Sequence, residues 1–372
     1  MATLKGVSLS LRIGPLATSL APEPLIAALE RAEVTEATGR RSGYQITFTY
    51  GKTSPIATEY LPSGMLDPMN RVILVATLDG VSRVLADGPI KRHDITATRQ
   101  PGQNRLTLTG EDITGYMDLI DFTGFPFPAM PPFARVALIV AKYAMYGVIP
   151  MVIPSPFSVV ASPTEKIAQQ QGSDFAYVSK LASDAGYVFY MKPGPEVGTN
   201  TAYWGPEVRV GTAQPALTLD FDQMSNLDEM SFSVDANVAE LAFGFVKAGN
   251  FSVPVPAPPV GILKPPLAGR PVVPGKTRLL ETERLSAPEV AGMILSGTAK
   301  GDPVLANGTI DLARYGQPLN ARQLVGLRGA GRAHDGVWYV SSVTHSLTRG
   351  AWRQSFQLAR EGLMPQKETV TP

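Results

Sequence analysis

The chain has 372 residues, enough for two or three packed domains, and 44% of them are apolar. Charged residues make up 17%, below the roughly 25% of typical soluble domains, so much of the surface is expected to end against partners. A net charge of +1 with scattered basic residues excludes a nucleic-acid stripe, and zero cysteine excludes disulfides, thiol catalysis and cysteine metal sites.

Residues Met1 to Ser19 lack a charged segment followed by an apolar one, so they do not read as a secretory signal. The first 110 residues read as β. Tyr44, Ile46, Phe48 and Tyr50 alternate with Gln45, Thr47 and Thr49, a period of two. Arg71 to Thr77 reads as a second strand that meets Asp79-Gly80, a two-residue hairpin signal, and returns as Val81 to Leu85. A further pair, Asp94 to Thr98 and Arg105 to Thr109, flanks Gln100-Pro101-Gly102-Gln103. Short strands joined by Gly-rich turns point to a barrel or sandwich.

The texture changes at Gly110. One helix is expected over Glu111 to Ile120, and another over Phe133 to Tyr146, started by Pro131 and Pro132 and stopped by Gly147. The second is apolar nearly all round, which predicts burial. The stretch from Phe122 to Val160 carries only Arg135 and Lys142 as charges. It is broken by Pro126, Pro128, Pro131, Pro132, Pro150 and Pro154, so no run approaches the ~20 apolar residues of a membrane span. No membrane anchor is expected, and synthesis in the cytoplasm is. A third helix runs from Ser173, a plausible N-cap, to Ala185, with Phe175, Val178 and Leu181 on one face and Gly186 at its end. Strands follow at Tyr187 to Met191 and Thr201 to Trp204.

Strands resume at Leu217 to Phe221, Met230 to Val234 and Ala239 to Val246. Eight prolines between Phe251 and Lys276 predict extended, polyproline-like chain. Ser286 and Glu289 form a capping-box pattern that opens a helix to about Ala299. From Gln323 to Arg360 the pattern is β again, with Val337 to Val343 alternating and Gly350 turning the chain into Trp352 to Leu358. The fold class is therefore mainly β with α+β insertions. The expected division is a first β-barrel domain at 1–110, an α+β insertion at 111–212, and a second barrel built from 213–249 and 320–362. A Pro-rich arm and helix excursion takes 250–319, and a tail takes 363–372. No repeat of 20 to 50 residues is visible, yet two barrels of similar size remain possible.

The search for chemistry is negative. His93, His334 and His345 lack metal-ligand spacing. Asp118 with Asp121, and Asp220 with Asp222, are paired carboxylates of the type a glycosidase uses, but they sit at element ends where capping carboxylates are common. No nucleophile elbow, P-loop or dinucleotide fingerprint occurs. Catalytic, cofactor and metal residues are expected to be absent. Trp204 or Trp352, if exposed, offers sugar stacking, although packing is the expected role of both.

The C-terminal segment carries the most information. It reads Leu319-Asn320-Ala321-Arg322-Gln323-Leu324-Val325-Gly326, then Asp335-Gly336-Val337-Trp338-Tyr339-Val340, Val343-Thr344-His345, Arg349-Gly350, Trp352, Phe356-Gln357-Leu358 and Arg360-Glu361-Gly362. Upstream stand Leu106-Thr107-Leu108-Thr109-Gly110-Glu111-Asp112, Gln171-Gly172-Ser173-Asp174 with Phe175, and Ala185-Gly186-Tyr187. In order and spacing these patches, over about 70 to 362, resemble the phage late control D family, the baseplate hubs of contractile tails, related to the barrel base of VgrG spikes. The resemblance implies two related β-barrels joined through α+β insertions. It also implies a homotrimer whose six barrels adapt a six-fold tail tube to a three-fold spike around an axial channel. Implied partners are the tube protein, a separate spike protein and other baseplate proteins, in a tail or injection particle. The alternative is a tail-associated cell-wall hydrolase. The motif positions carried over are Thr107, Thr109, Gly110, Asp112, Gly186, Arg322, Gly326, Asp335, Gly336, Tyr339, Val340, His345, Gly350, Phe356 and Arg360.

Overall fold

A computed structural model describes residues 6–157, 167–220, 225–248, 251–255, 261, 263–280, 282, 287–299 and 301–366. Six strands form a first module: β1 (Val7–Gly14), β2 (Leu29–Ala37), β3 (Gly43–Tyr50), β4 (Arg71–Leu78), β5 (Val81–Thr96) and β6 (Asn104–Glu111). Alternation drives them. Along β3, Tyr44, Ile46, Phe48 and Tyr50 turn inward, and on β6 Leu106 and Leu108 do the same. Asp79 and Gly80 both take positive φ, 48° and 83°, as a tight β4–β5 hairpin requires.

The insertion carries helix α1 (Pro132–Ala141), strand β7 (Val148–Val152), helix α2 (Asp174–Ala185) and strands β8 (Val188–Pro193) and β9 (Asn200–Gly205). Its three-stranded sheet runs β8-β9-β7. The helices pack over it around a core of its own, which includes Val136, Val178, Met191 and Trp204. Ser173 caps α2 by accepting the Ala176 amide at 3.2 Å, and Gly186 ends it at φ 69°.

The second module comprises β10 (Gln214–Thr218), β11 (Leu227–Val234), β12 (Val304–Asp311), β13 (Leu324–Arg328), β14 (Gly336–Thr348) and β15 (Ala351–Arg360). The first module has the strand order β1-β4-β5-β6-β3-β2, and the second has β10-β13-β14-β15-β12-β11. Numbered within each module, both orders are 1-4-5-6-3-2. Together with the short strand Ser19–Leu20 they form one thirteen-stranded sheet, and the inward residues of both modules share one core. One departure separates them: β1 is antiparallel to β4, whereas β10 is parallel to β13.

Several expectations need correction. Val81 to Thr96 is one strand, not two pieces. Asp87 disguises it: this carboxylate is 1% exposed in mid-strand because Arg71 pairs with it at 2.6 and 2.7 Å. The helix expected over Glu111 to Ile120 is a single turn, Thr114–Met117, nucleated by Asp112, which accepts the Thr114 amide at 2.9 Å. The expected helix to Tyr146 closes at Ala141, and a separate turn, Ala144–Tyr146, precedes Gly147 at φ 74°. Helix α1 is buried on one side only, through Val136, Ile139 and Val140, while Leu138 is 48% exposed.

Residues 304–311, read as part of the excursion, pair with both β11 and β15 inside the second module. Gly308 hides that strand. It is there because the Phe356 ring occupies the space a Cβ would need, 2.7 Å away. Residues 240–248, read as barrel, instead pair with Lys276–Leu279 and Phe251–Pro254 in two small sheets. In the Pro-rich stretch, Phe251–Pro254 and Ala268–Pro271 are each one strand of a two-stranded pair, where a missing amide is tolerated. A helix follows at Ala287–Thr298; Ser286, expected to cap it, lies outside the described residues, as do Phe221 and Asp222. No described helix is long and apolar enough to cross a membrane.

Candidate functional site: the seam between the modules

Strand β14 takes two partners in succession along one edge. Gly336 to Tyr339 pair with β13. Next, the Arg322 amide donates to Val340 O at 2.7 Å, and the Val340 amide donates to Gln323 O at 2.9 Å. From Ser342 to Thr348 the edge pairs antiparallel with β2 of the first module, Ala37 to Arg31. The modules are therefore joined by a continuous backbone ladder.

The first module repeats the lead-in to this seam atom for atom. The Met69 amide donates to Ile90 O at 2.7 Å, and the Ile90 amide donates to Asn70 O at 2.8 Å. Met69 and Arg322 are both left-handed, at φ 76° and 64°, an uncommon state for residues with a Cβ. A bulge follows each: Lys91 between Ile90 and Arg92, and Ser341 between Val340 and Ser342. A second matched bulge puts Glu30 between Leu29 and Arg31, and Asp228 between Leu227 and Glu229. Aligned on the bulges, Ile90 is the counterpart of Val340, Arg92–Thr96 of Ser342–Ser346, and Leu227–Val234 of Leu29–Glu36.

Arg322 locks the seam. Its Nη2 donates to Ala37 O at 2.9 Å and Ser42 Oγ at 3.0 Å, its Nη1 lies 3.5 Å from Glu36, and its guanidinium sits 4.0 Å over the Tyr190 ring of the insertion. The Ser42 amide reaches Asp112 Oδ2 at 3.3 Å. Burial pushes the Asp112 carboxyl up to about 6, against the pull of the Thr114 hydrogen bonds and of Arg322. Both modules and the insertion thus meet through one arginine.

His345 lies deeper in the same seam, 3% exposed. Its Nδ1 accepts from Trp352 Nε1 at 3.2 Å, which places the ring proton on Nε2, 3.9 Å from Glu36. Burial holds it down at about 4, so the ring is neutral. Gln354 donates to the same Nδ1 at 3.2 Å and also ties Leu319 through its N–H and its carbonyl.

The other motif positions serve the fold around this seam. Tyr339 donates or accepts at Thr38 Oγ1, 3.2 Å away, and burial raises its hydroxyl well above the usual phenol range. Val340 is fully buried. Arg360, also fully buried, donates to the carbonyls of Gly362, Asp335 and Ala333 at 2.8–3.1 Å and stacks 4.2 Å over Trp338. Asp335 accepts the Ala330 amide at 2.8 Å. Gly336, at φ 107°, passes Pro365 so closely that a Cβ would lie 2.3 Å from it. Gly326 pairs with Val337 on β13, and Gly350 turns β14 into β15. Thr107 and Thr109 lie on the outward face of β6, opposite Asp94 and Arg92. Gly110 leaves room for Tyr44, whose hydroxyl donates to Gly88 O at 3.2 Å. Phe356 is 4% exposed on β15. Gly186 stands apart from the seam, at the end of α2.

Glu36, Ser42 and Gln354 were not singled out from the sequence. Gln354 had a signal: it falls on the inward phase of Trp352, Phe356 and Leu358. Of the carboxylates considered for hydrolysis, Asp118 and Asp121 are engaged locally. Asp118 pairs with Arg41 at 2.6 Å and accepts from Ser173 Oγ, and Asp121 accepts the Thr123 amide at 2.7 Å. Asp220 is a left-handed turn residue at φ 55°. Trp204 and Trp352 are 0% and 3% exposed, which removes sugar stacking. His93 Nδ1 lies 3.1 Å from Leu66 O, and His334 stacks on Phe232. Among the described residues no three His, Asp or Glu side chains converge.

No family model and no curated protein matches the sequence. Solved structures do match. A tail protein from Neisseria meningitidis MC58 is 12% identical with a TM-score of 0.64, covering 96% of this chain and 98% of that one. The 43 kDa tail protein of prophage MuSo2 from Shewanella oneidensis is 13% identical with a TM-score of 0.58, covering 97% and 99%. A chain of the Francisella PdpA–VgrG complex is 10% identical with a TM-score of 0.55; the match covers 99% of this chain and 55% of that one. The chain therefore has the fold seen in prophage tail proteins and in the PdpA–VgrG complex.

Proposed function

We propose that this protein is a structural baseplate hub of a contractile phage tail or injection system. Three copies form a collar that adapts a six-fold tail tube to a three-fold spike and leaves an axial channel. Its partners are the tube protein, the spike protein and other baseplate proteins, and its place is in the assembled particle. The observation that carries the reading is the duplication: two modules of one strand order with bulges at matching positions. Two like modules per chain let three chains offer six similar faces, and closed cyclic contacts are the usual route to such rings. The tail-protein fold supports the same setting. The work is geometric; of the candidate catalytic carboxylates, Asp118 and Asp121 are occupied by structural partners.

The test is native mass spectrometry and electron microscopy of the full chain, alone and with tube and spike proteins from the same source. A three-fold ring with six lobes that binds both is expected. A stable monomer that ignores both proteins refutes the proposal.

A further inference from the structure

We infer that the outer edge of β11, Leu227–Val234, adds antiparallel to the Arg92–Thr96 edge of β5 in a second copy of this chain. The contact repeats between chains the ladder that β2 and β14 form within one. The inference rests on the collar reading above and assigns the surfaces that build the collar.

Each half of the ladder has a counterpart that lacks a mate. Strand β2 is matched by β11, and the second half of β14 is matched by Arg92–Thr96. Among the described residues no strand pairs with the outer edge of either counterpart. Burial tracks the difference. Within the chain, Val34 meets His345 and Ala32 meets Leu347, and all four are at most 3% exposed. On the unmated edges, Ile95, the counterpart of His345, is 50% exposed, as is Val234. Met230 and Phe232, the counterparts of Ala32 and Val34, are only half-buried. A bare strand edge carrying apolar side chains is a liability that a partner strand removes.

The matched bulges fix the register. Ser342 faces Ala37, and Thr344 faces Thr35. Transferred to the unmated edges, Arg92 faces Asp235, His93 faces Val234, Asp94 faces Ser233, Ile95 faces Phe232 and Thr96 faces Ser231. The chemistry agrees on both faces. Ile95 meets Phe232 on the inner face, and Arg92 meets an opposite charge on the outer one. Thr35 and Thr344 hydrogen bond at 2.9 Å within the chain, and Ser233 with Asp94 supplies a hydroxyl and a carboxylate at the same place. The Thr38 amide donates to Ser341 O at 2.8 Å, and the corresponding donor and acceptor are the Ala236 amide and Lys91 O. The occupant is a second copy because one chain carries both halves of a contact that it has already made once internally. One unmated half at each end makes the contact head-to-tail, which closes into a ring.

The chain has no cysteine, so an engineered pair is unambiguous. Residues directly opposite in an antiparallel pair lie about 4.5–5.5 Å apart at Cα, within disulfide reach. Chains carrying both Asp94→Cys and Ser233→Cys are oxidised and run on a non-reducing gel, beside native mass spectrometry of the unmodified chain. Linked dimers closing at a covalent three-chain species are expected. The off-register pair Asp94→Cys with Ser231→Cys should link at least about ten-fold less. A second variant, Ile95→Asp, alters an exposed side chain and should fold normally while weakening assembly at least about ten-fold. If trimers form but the in-register pair does not link, or Ile95→Asp assembles as well as the parent, the strand pairing is refuted and the collar stands. If no trimer forms at any concentration, both fall.

Discussion

Acid should open the seam, and His345 should be the group that opens it. The ring is neutral and enclosed in the folded chain, held at about 4 first by burial and then by Arg83, with Glu36 pulling the other way. In the unfolded chain an imidazole titrates near ~6.5. The folded value is the lower one, so the stabilisation is fully present above about pH 6.5. It is lost as pH falls toward about 4, because only the unfolded chain takes up the proton in that window. A difference of ~2.5 units at ~1.36 kcal/mol each gives about 3 kcal/mol. The side chain is 4% exposed, so solvent screening discounts little of this.

The comparison variant is His345→Gln, whose amide oxygen still accepts from Trp352 Nε1 but does not titrate. Urea denaturation of both proteins across about pH 7 to pH 4 cancels the carboxylates they share. The parent should lose about 3 kcal/mol more than the variant over that range, and amides of β2 and β14 should lose exchange protection first. A parent-minus-variant difference that stays constant with pH refutes the assignment of the neutral, seam-holding imidazole.

Other outcomes follow from burial. Phe356→Ala removes a ring packed against Gly308 in the second module and should cost about 3–5 kcal/mol in a denaturation curve; an unchanged melting point would mean this face is not core. Arg209 is fully buried, 2.7 Å from Glu207 and paired with Asp302, which burial pushes up but Arg209 and Lys264 pull below the usual carboxylate range. Arg209→Met leaves those carboxylates facing Lys264 alone, should cost about 3–5 kcal/mol, and should make residues 264–302 the first site of limited proteolysis. A protease pattern identical to the parent's would show that this cluster does not anchor the excursion.

Much of the sheet was legible because inward and outward residues alternate cleanly, as in β3, β6 and β15, or because an apolar run meets a hairpin signal, as β4 meets Asp79-Gly80. β1 escaped notice although Val7, Leu9, Leu11 and Ile13 alternate inward; β2, β12 and β5 break the pattern for reasons visible only in three dimensions. β2 shifts phase at Glu30, because a bulge inserts one residue between Leu29 and Arg31. β12 carries Gly308 where Phe356 fills its space, and β5 carries Asp87 inside because Arg71 is there to neutralise it. The motif residues pointed to the seam through Arg322, Tyr339, Val340 and His345. Their partners Glu36 and Ser42 lie some 280–309 positions away in sequence, and no local pattern links such positions.

The duplication itself left no repeat in the sequence, and the reason lies in what was kept. The two modules share strand order, two bulges and a left-handed residue at one junction, yet Met69 stands where Arg322 does and Ile95 where His345 does. Backbone features determine how strands pair, and side chains determine with whom. At the internal seam the side chains are polar: Arg322 beside Glu36, and the neutral, hydrogen-bonded His345, fix a contact made once, within one chain, during folding. At the unmated edges the positions of Glu36 and His345 hold Val234 and Ile95, which suit a contact formed by burial between folded chains, while Met69, in the place of Arg322, packs against the insertion's core. In the proposed ring, divergence at these positions separates the internal seam from the external one. A chain with two identical seams would have no means of telling its own second module from a neighbour's.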